Sequence, residues 1–332
     1  MPIDEPAAGA GGSSRSAEGR PPRVEMPDRR DGRAYVMSKD LALAVQVALV
    51  TGRPLLLRGD PGSGKSSLAA FVARERGWRY YEHVVTSRTQ AQDLLWRFDS
   101  IRRLADAQLR RDLDDHQYVE PGVLWWAFAP ESARRRGEPP SSTVRPVVEP
   151  NADVNRDRSP DHAVVLIDEI DKADPDLPNG LLVPLSSNSF AVTDADVDVA
   201  IEAPTTTVGG SDSRHLVVVT TNEERELPQA FLRRCVVVWV EHPTPQELVA
   251  IARSHFDVYE GGMSEADELL ATKLAKALDG LRARAAREAV RRPSTAEFLD
   301  ALHACRSIGI TVDGPRWAKI EEMVLMKRQQ PD

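Results

Sequence analysis

The sequence predicts an α/β fold, in which a five-stranded parallel sheet flanked by helices is followed by a small all-helical domain. Five short apolar runs alternate with helical patterns between residues 55 and 240, which is typical of a buried parallel sheet. From Thr244 onward only helical patterns remain. The length of 332 residues also corresponds to about two domains of ordinary size.

The five predicted strands share a run of aliphatic or aromatic residues bounded by polar or turn-forming residues. They are Leu55–Arg58, 80–85, 163–168, 215–220 and 235–240. Capping residues mark the helices, and Ser38 is the predicted N-cap of a helix that ends at Gly52. Thr244 and Ser294 each begin a capping box, in which a Glu follows three positions later. These signals predict one helix before the first strand and two helices after the last.

The chain is predicted to divide into a tail, a main domain and a helical lid domain. Residues 1–33 combine six acidic and six basic side chains with Gly, Pro, Ala and Ser, and we expect them to be disordered. Residues 34–241 form the predicted α/β domain, with a Pro-rich, charged loop inserted at about 132–160. Residues 193–214 indicate a second insertion, and residues 242–332 form the predicted lid domain.

Charge and cysteine content disfavour several classes of protein. The formal net charge is −8 and the pI is near 5.5, which argues against a protein that binds nucleic acid mainly through electrostatics. Cys235 and Cys305 are too few for a disulfide framework or a Cys-rich zinc site, which favours a reducing, cytoplasmic compartment. No apolar stretch reaches the ~18 residues of a membrane span, so we expect no membrane association. The histidines at 83, 162, 215, 242 and 303 show no metal-ligand spacing.

The strongest motif is a glycine-rich turn between the first strand and the next helix. It consists of Gly59, Asp60, Pro61, Gly62, Ser63, Gly64, Lys65 and Ser66, followed by Ser67. The first eight match the phosphate-binding pattern G-x-x-x-x-G-K-[ST] in full. Glycines let consecutive backbone N–H groups surround a phosphate at the positive end of a helix. We expect Lys65 to reach the β- and γ-phosphates and Ser66 to place its hydroxyl on Mg²⁺.

Two carboxylates form the second motif, at the end of the third predicted strand. Asp168 is its last residue and Glu169 follows. Ligands bind at the carboxyl ends of the strands in α/β sheets, so both acids are expected beside the phosphate loop. Asp168 is expected to hold Mg²⁺, directly or through water. Glu169 is expected to orient and deprotonate the water that attacks the γ-phosphate.

Together, the two motifs resemble those of the AAA+ ATPases, which implies ATP and Mg²⁺ as cofactors. Asn222, after the fourth strand, is similar to the family's polar sensor of the γ-phosphate or attacking water, the alternative being a turn-forming Asn. Residues 227–235 resemble the helix that presents an arginine finger to the neighbouring subunit's nucleotide. Arg234 is the candidate finger and Arg233 the reserve, and the alternative is a solvated Arg pair.

Within the AAA+ proteins, the sequence is most similar to the MoxR-like, or dynein-related, group. The segments that carry this resemblance are Asp-Glu-Ile-Asp-Lys-Ala at 168–173, Pro-Asn-Gly-Leu-Leu-Val-Pro-Leu at 178–185, Phe-Ala-Val at 190–192, residues 89–95, and Pro-Gly-Val-Leu at 121–124. The resemblance covers about residues 36–310. The second sensor arginine departs from the usual context, because the last capping box follows Arg291-Arg292-Pro293. Arg292, or else Arg291, is the candidate for contact with the phosphates, and contact by neither arginine is the alternative.

The resemblance also implies partners. It implies a homo-oligomeric ring, with a hexamer as the expected size, and a chaperone-like ATPase that remodels or assembles a protein partner. Members of the group often act on proteins with a von Willebrand factor A domain, support metal-cofactor insertion or complex assembly, and occur in bacterial stress or defence systems. Such a domain is therefore the first expected partner, and nucleic acid is not expected.

Two other functions remain open at this stage. One is a nucleic-acid-associated AAA+ motor or GTPase subunit, which the net charge disfavours. The other is a nucleotide-dependent assembly switch without hydrolysis, which has no need for Glu169. Trp125 and Trp126 are expected to pack inside the domain, with a partner-gripping loop as the alternative. The arginines at 134–136 are expected to be solvated loop charges.

Overall fold

The computed structural model describes residues 32–142, 146–202, 215–288, 291–311 and 314–326. Nearly all of the predicted tail at 1–33 and most of the second predicted insertion, at 203–214, lie outside the described residues. Within the described residues, no helix combines the length and apolar character needed to span a membrane.

A five-stranded parallel sheet forms the centre of the main domain, which confirms the predicted fold class. The strands are β1 Leu55–Arg58, β2 Trp78–Val84, β3 Trp96–Phe98, β4 Val119–Pro121, β5 Ser159–Asp168, β6 Ser189–Val192, β7 Val197–Ala200, β8 His215–Thr221 and β9 Val236–Trp239. The spatial order in the sheet is β2-β5-β8-β1-β9, and two small antiparallel hairpins, β3-β4 and β6-β7, lie outside it.

The helices flank this sheet and make up the region after it. They are α1 Lys39–Thr51, α2 Lys65–Glu75, α3 Ser100–Gln108, α4 Val123–Phe128, α5 Pro130–Arg134, α6 Ala152–Asn155, α7 Asp176–Gly180, α8 Leu182–Ser187, α9 Gln229–Leu232, α10 Pro245–Tyr259, α11 Glu265–Glu288, α12 Thr295–Ile308 and α13 Trp317–Ile320. Short 3₁₀ turns span Ala91–Leu94, Asp115–Tyr118 and Ile170–Lys172, and a π-helical turn spans Glu321–Met326.

The predicted helix caps are confirmed. The Ser38 side chain accepts a hydrogen bond from the amide of Leu41, and Gly52 ends α1 in the left-handed conformation. The capping boxes at Thr244 and Ser294 are reciprocal, because each hydroxyl accepts an N–H bond while the Glu three positions later accepts one from the cap residue. These bonds satisfy backbone donors that a helix start otherwise leaves unpaired.

Both faces of the sheet are covered, which is why most of β1 and the middle parts of β5 and β8 are apolar without interruption. Val165 and Ile167 of β5 point into one core cluster, and Val164 and Leu166 into the other. A third cluster joins α10, α11 and α12. Trp125 and Trp126 are fully buried in the cluster that contains Val165 and Ile167. Packing inside the domain is therefore the correct interpretation, and the partner-gripping alternative is wrong.

The segment at 132–160 is more ordered than the loop that its composition predicts. It contains the end of α5 and all of α6, and β5 begins at Ser159. The Glu149 carboxylate joins the segment to the sheet, because Oε1 accepts hydrogen bonds from Tyr81 Oη at 2.8 Å and Asn155 Nδ2 at 3.2 Å. These partners lie up to 68 positions away in sequence, so local composition gives no sign of them.

The prediction that the arginines at 134–136 are solvated loop charges is wrong. All three are half-buried. Arg134 pairs with Glu149 at 3.5 Å, Arg135 Nε donates to the carbonyl of Glu138, and Arg136 Nε donates to the carbonyl of Val119. A guanidinium carries several donors in a fixed fork, which suits it to linking backbone segments in this way.

Candidate functional site

The predicted site residues of the main domain meet at the carboxyl edge of the sheet. The glycine-rich loop follows β1, Asp168 ends β5, and Asn222 follows β8, and these three strands are neighbours in the sheet. Gly62 and Gly64 have φ angles of 73° and 89°, in the left-handed region that favours glycine. A Cβ atom at position 62 would also lie 2.3 Å from Ser294 Cβ, so the loop packs directly against the start of α12.

Lys65 begins α2 and its side chain turns back over the loop. Its Nζ donates to the carbonyl oxygens of Gly59 at 2.7 Å and Asp60 at 2.8 Å. Burial lowers the pKa of Lys65, and nearby carboxylates, with Asp168 the strongest, oppose this shift. The ammonium group is therefore held at the loop by two carbonyl oxygens. A short movement of this side chain would replace those oxygens with the oxygens of a bound phosphate.

Asp168 is almost fully buried and has two hydroxyl partners. Its Oδ1 accepts hydrogen bonds from Ser66 Oγ and from Thr220 Oγ1, both at 2.6 Å. The Ser66 hydroxyl and the Asp168 carboxylate are hard oxygen ligands of the kind Mg²⁺ prefers. The donor set at this point therefore fits a magnesium ion. The contact of Thr220 was missed by the sequence interpretation, since a Thr at a strand end is ordinary.

Glu169 takes the left-handed conformation, with φ 60° and ψ 50°, directly after β5. Its Oε2 lies 2.5 Å from Lys172 Nζ, and Asn222 Nδ2 donates to its Oε1 at 3.3 Å. The structure thus brings together two predicted residues that are 53 positions apart. Lys172 was not predicted as a partner, and its hydrogen bond to Glu169 raises the pKa of the lysine.

A buried acid beside these residues holds the turn after β8. Asp171 Oδ2 accepts hydrogen bonds from the amide N–H groups of Asn222 at 3.2 Å and Glu224 at 2.8 Å. Only 2% of Asp171 is exposed. The carboxylate therefore fixes the backbone at Asn222, a role that the sequence alone did not indicate.

The helical region after β9 contributes basic side chains opposite the loop. Asp60 Oδ2 lies 3.0 Å from His242 Nε2 and 3.7 Å from Arg292 Nη1. Burial lowers the pKa of His242. Arg291 instead makes two hydrogen bonds to Glu297 Oε1, at 3.0 and 2.9 Å. Of the two candidate sensor arginines, Arg292 therefore faces the loop.

Arg282 of α11 holds the two segments from which His242 and Arg292 project. Its Nε donates to the carbonyl of Pro293 and its Nη1 to the carbonyl of Pro243, both at 2.9 Å. Burial lowers the pKa of Arg282 to about 10. Sequence reasoning missed this residue, because it lies in the middle of a long amphipathic helix with other arginines.

Two cavities lie between the loop and the helical region after β9, and residues 239–242 line both of them. One, of about 670 Å³, is bounded by Asp60, Arg291 and Arg292. The other, of about 620 Å³, is lined by Tyr35, Gly64 and mainly apolar neighbours. Both volumes lie in the range of small-molecule sites. A charged cavity beside a more apolar one suits a ligand with a polyphosphate and a flat base.

Buried polar atoms without partners concentrate at this cleft. Among the described residues there are six such side-chain atoms, and four of them are Ser63 Oγ, His242 Nδ1, Arg282 Nη2 and Thr295 Oγ1. An unpaired buried polar atom costs about 1–3 kcal/mol, so a ligand or water that satisfies these atoms is favoured. Ser63, His242 and Thr295 line the cavity of about 620 Å³, and Arg282 holds the segment that carries His242.

Arg233 and Arg234 lie apart from this cleft. Both are exposed after α9, and Arg234 Nη1 donates to the carbonyl of Ala230 at 3.2 Å. Arg234 lines a separate cavity of about 250 Å³ together with Arg53 and Leu185. The structure therefore does not bring the predicted finger to the loop of its own chain.

His116, which is not among the five histidines considered in the sequence analysis, has acidic neighbours. Ligand atoms of Asp114, His116 and Glu138 lie within 4.8 Å of one another. His116 Nδ1 lies 2.9 Å from the carbonyl oxygen of Arg136, and Nε2 lies 3.3 Å from Glu138 Oε1. The contact of the imidazole with the Glu138 carboxylate accounts for this grouping.

The chain is similar to one known family of domains. A family model described as AAA domain (dynein-related subfamily) matches residues 54–235, which is more than half of the chain. No curated protein matches. Among solved structures, the chain is similar to that of a putative ATPase from Cytophaga hutchinsonii, at 13% sequence identity and a TM-score of 0.40. That similarity covers 90% of this chain and 84% of the other.

Proposed function

The chain belongs to the dynein-related subfamily of AAA domains, and on that premise we propose that it is a Mg²⁺-dependent ATPase. The observation that carries the proposal is the meeting of Lys65, Asp168 and Glu169 at one edge of the sheet, with Asn222 hydrogen-bonded to the glutamate. A phosphate loop alone supports nucleotide binding. The carboxylate at 169 adds a group that activates water, and this favours hydrolysis over a binding-only switch.

In the proposed reaction, the loop amides and Lys65 bind the phosphates of ATP, and Ser66 and Asp168 would hold Mg²⁺. When bound, Mg²⁺ would offset negative charge on the phosphates. Glu169 accepts a proton from a water that Asn222 helps to orient. The water oxygen then bonds to the γ-phosphorus while the bond to the bridging oxygen breaks, which gives ADP and phosphate.

A second subunit completes the proposed site. Arg234 lies on an exposed surface away from its own loop, and such a position suits a cation that acts on the nucleotide of a neighbour. Arginine fingers supplied from another chain stabilise the charge of the transition state. We therefore propose a homo-oligomeric ring, with a hexamer as its expected size, and Arg292 as the sensor within each chain.

The proposed role is chaperone-like remodelling of a protein partner, with a von Willebrand factor A domain protein as the first candidate. Its support is the MoxR-like sequence pattern together with the net charge of −8, which ranks a protein above nucleic acid as partner. A pull-down with Glu169→Gln protein and ATP tests this role. Enrichment of such a partner supports it, and salt-sensitive retention of DNA in its place contradicts it.

The ATPase proposal is tested with nucleotide binding and phosphate release by the wild-type chain and by Lys65→Ala. We expect binding and Mg²⁺-dependent release by the wild type, and loss of binding in Lys65→Ala because the phosphates lose their ammonium partner. Lys276→Ala is the matched control, since Lys276 is exposed on α11. Normal ATP affinity in Lys65→Ala would exclude the assigned site.

A further inference from the structure

Thr220 contacts both carboxylate residues of the site. Its hydroxyl donates to Asp168 Oδ1 at 2.6 Å, and the backbone N–H of Glu169 donates to the same hydroxyl oxygen at 2.9 Å. The directions are fixed, because a carboxylate only accepts and an amide N–H only donates. Only 1% of Thr220 is exposed, so water does not replace either bond.

The hydrogen bond from Thr220 to Asp168 would hold the carboxylate in position when Mg²⁺ is bound. Asp168 Oδ1 also accepts from Ser66 Oγ at 2.6 Å. In the proposed reaction the Ser66 oxygen is a ligand of Mg²⁺. Thr220 is then the hydroxyl that continues to hold the carboxylate in position from behind, on a neighbouring strand of the sheet.

The bond from Glu169 acts on the backbone. Glu169 is in the left-handed region, where a residue with a side chain is uncommon and needs support from its surroundings. The backbone N–H of Glu169 is held by its hydrogen bond to Thr220 Oγ1. The direction of the glutamate side chain, toward Asn222 and Lys172, follows from that backbone conformation.

We propose that Thr220 is the positioning residue of this site, orienting the Asp168 carboxylate for Mg²⁺ and the Glu169 backbone for water activation. The inference rests on the proposed function. Groups that orient metal ligands through hydrogen bonds typically contribute about 10- to 100-fold to metal affinity or activity. Loss of the Thr220 hydroxyl is therefore expected to weaken Mg²⁺ binding and turnover together.

The experiment compares Thr220→Val with Thr220→Ser and Thr221→Val. Valine keeps the shape and removes the hydroxyl, and serine restores the hydroxyl. Thr221 is the matched control, because it is also 1% exposed and its hydroxyl accepts from the amide of Glu223 at 3.0 Å. The measurements are the Mg²⁺ concentration for half-maximal binding of a fluorescent ATP analogue, the rate of phosphate release and the thermal midpoint.

We expect Thr220→Val to raise the half-saturating Mg²⁺ concentration about 10- to 100-fold, while Thr220→Ser and Thr221→Val stay near the wild type. Equal Mg²⁺ dependence in Thr220→Val and Thr221→Val, or no rescue by serine, overturns the inference. Thr220→Ala provides the same comparison if the valine variant does not fold. A wild-type chain that binds no ATP overturns the proposed function itself, before any Thr220 variant is compared.

Discussion

The two sides of the nucleotide cleft differ in how their polar side chains are held. On the sheet side, Lys65, Asp168 and Glu169 each contact another group of the chain within 2.8 Å. On the helical side, His242 and Arg282 each keep a buried nitrogen without a partner, and Arg292 is 47% exposed and 3.7 Å from Asp60.

The difference indicates that the two sides contribute at different stages. The sheet side is preorganised, so its charges require little rearrangement when a nucleotide arrives. The helical side still has buried polar atoms without partners before the cleft is filled. We therefore expect Glu169 variants to lower turnover, Lys65 variants to abolish ATP binding, and Arg292 variants to weaken ATP affinity.

The largest expected effect comes from a residue on neither side. Arg234→Ala is expected to keep ATP binding and lower phosphate release by about 10³-fold or more, because the neighbouring site loses its finger. Mixing this variant with Glu169→Gln subunits should restore part of the activity, since each supplies the group that the other lacks. Arg233→Ala is the matched control, and failure of the mixture to recover argues against a shared site.

Glu169→Gln tests the sheet side directly. Turnover is expected to fall about 10²- to 10⁴-fold, because an amide does not accept the proton of the attacking water. ATP affinity should remain near the wild-type value, so that ATP is trapped in a stable assembly. Phosphate release and equilibrium binding measure the two effects, and Glu265→Gln, at an exposed position of α11, is the control. Near-normal turnover would remove Glu169 from its role.

The smallest effect distinguishes the two arginines of the helical side. Arg292→Ala is expected to weaken ATP binding about tenfold, or about 1.4 kcal/mol, because a half-exposed arginine makes a modest charged contact. Arg291→Ala should leave affinity unchanged and lower the thermal midpoint, since Arg291 pairs with the buried Glu297. Binding isotherms and thermal melts separate the two. The reverse pattern would assign the sensor to Arg291.

The sequence predicts the sheet and the main site residues for the same physical reason. A strand covered on both faces is an uninterrupted apolar run, and the polar residues at its end lie at the ligand-binding edge. The loop glycines, Asp168 and Asn222 are therefore visible without a structure. The contact between Asn222 and Glu169 follows from the parallel pairing of β5 with β8.

The residues that hold the site residues in position cannot be predicted from such patterns in the sequence. Thr220 lies 52 positions from Asp168, and Arg282 contacts two prolines that are 11 and 39 positions away. Such pairs depend on how strands and helices are placed in space, which no local pattern encodes. The prediction for the arginines at 134–136 was wrong for the same reason, because a run of charged residues in the sequence does not reveal the carbonyl groups that surround it in the fold.

The close packing at Gly62 has a consequence for communication within the protein. The loop carbonyl at position 62 accepts a hydrogen bond from the amide of Thr295, and the contact with Ser294 leaves no space between them. A movement of the loop at Gly62 would therefore also move the first turn of α12. Because α12 has 14 residues and is about 21 Å long, it links the phosphate loop to the surface at Ile308, far from the cleft.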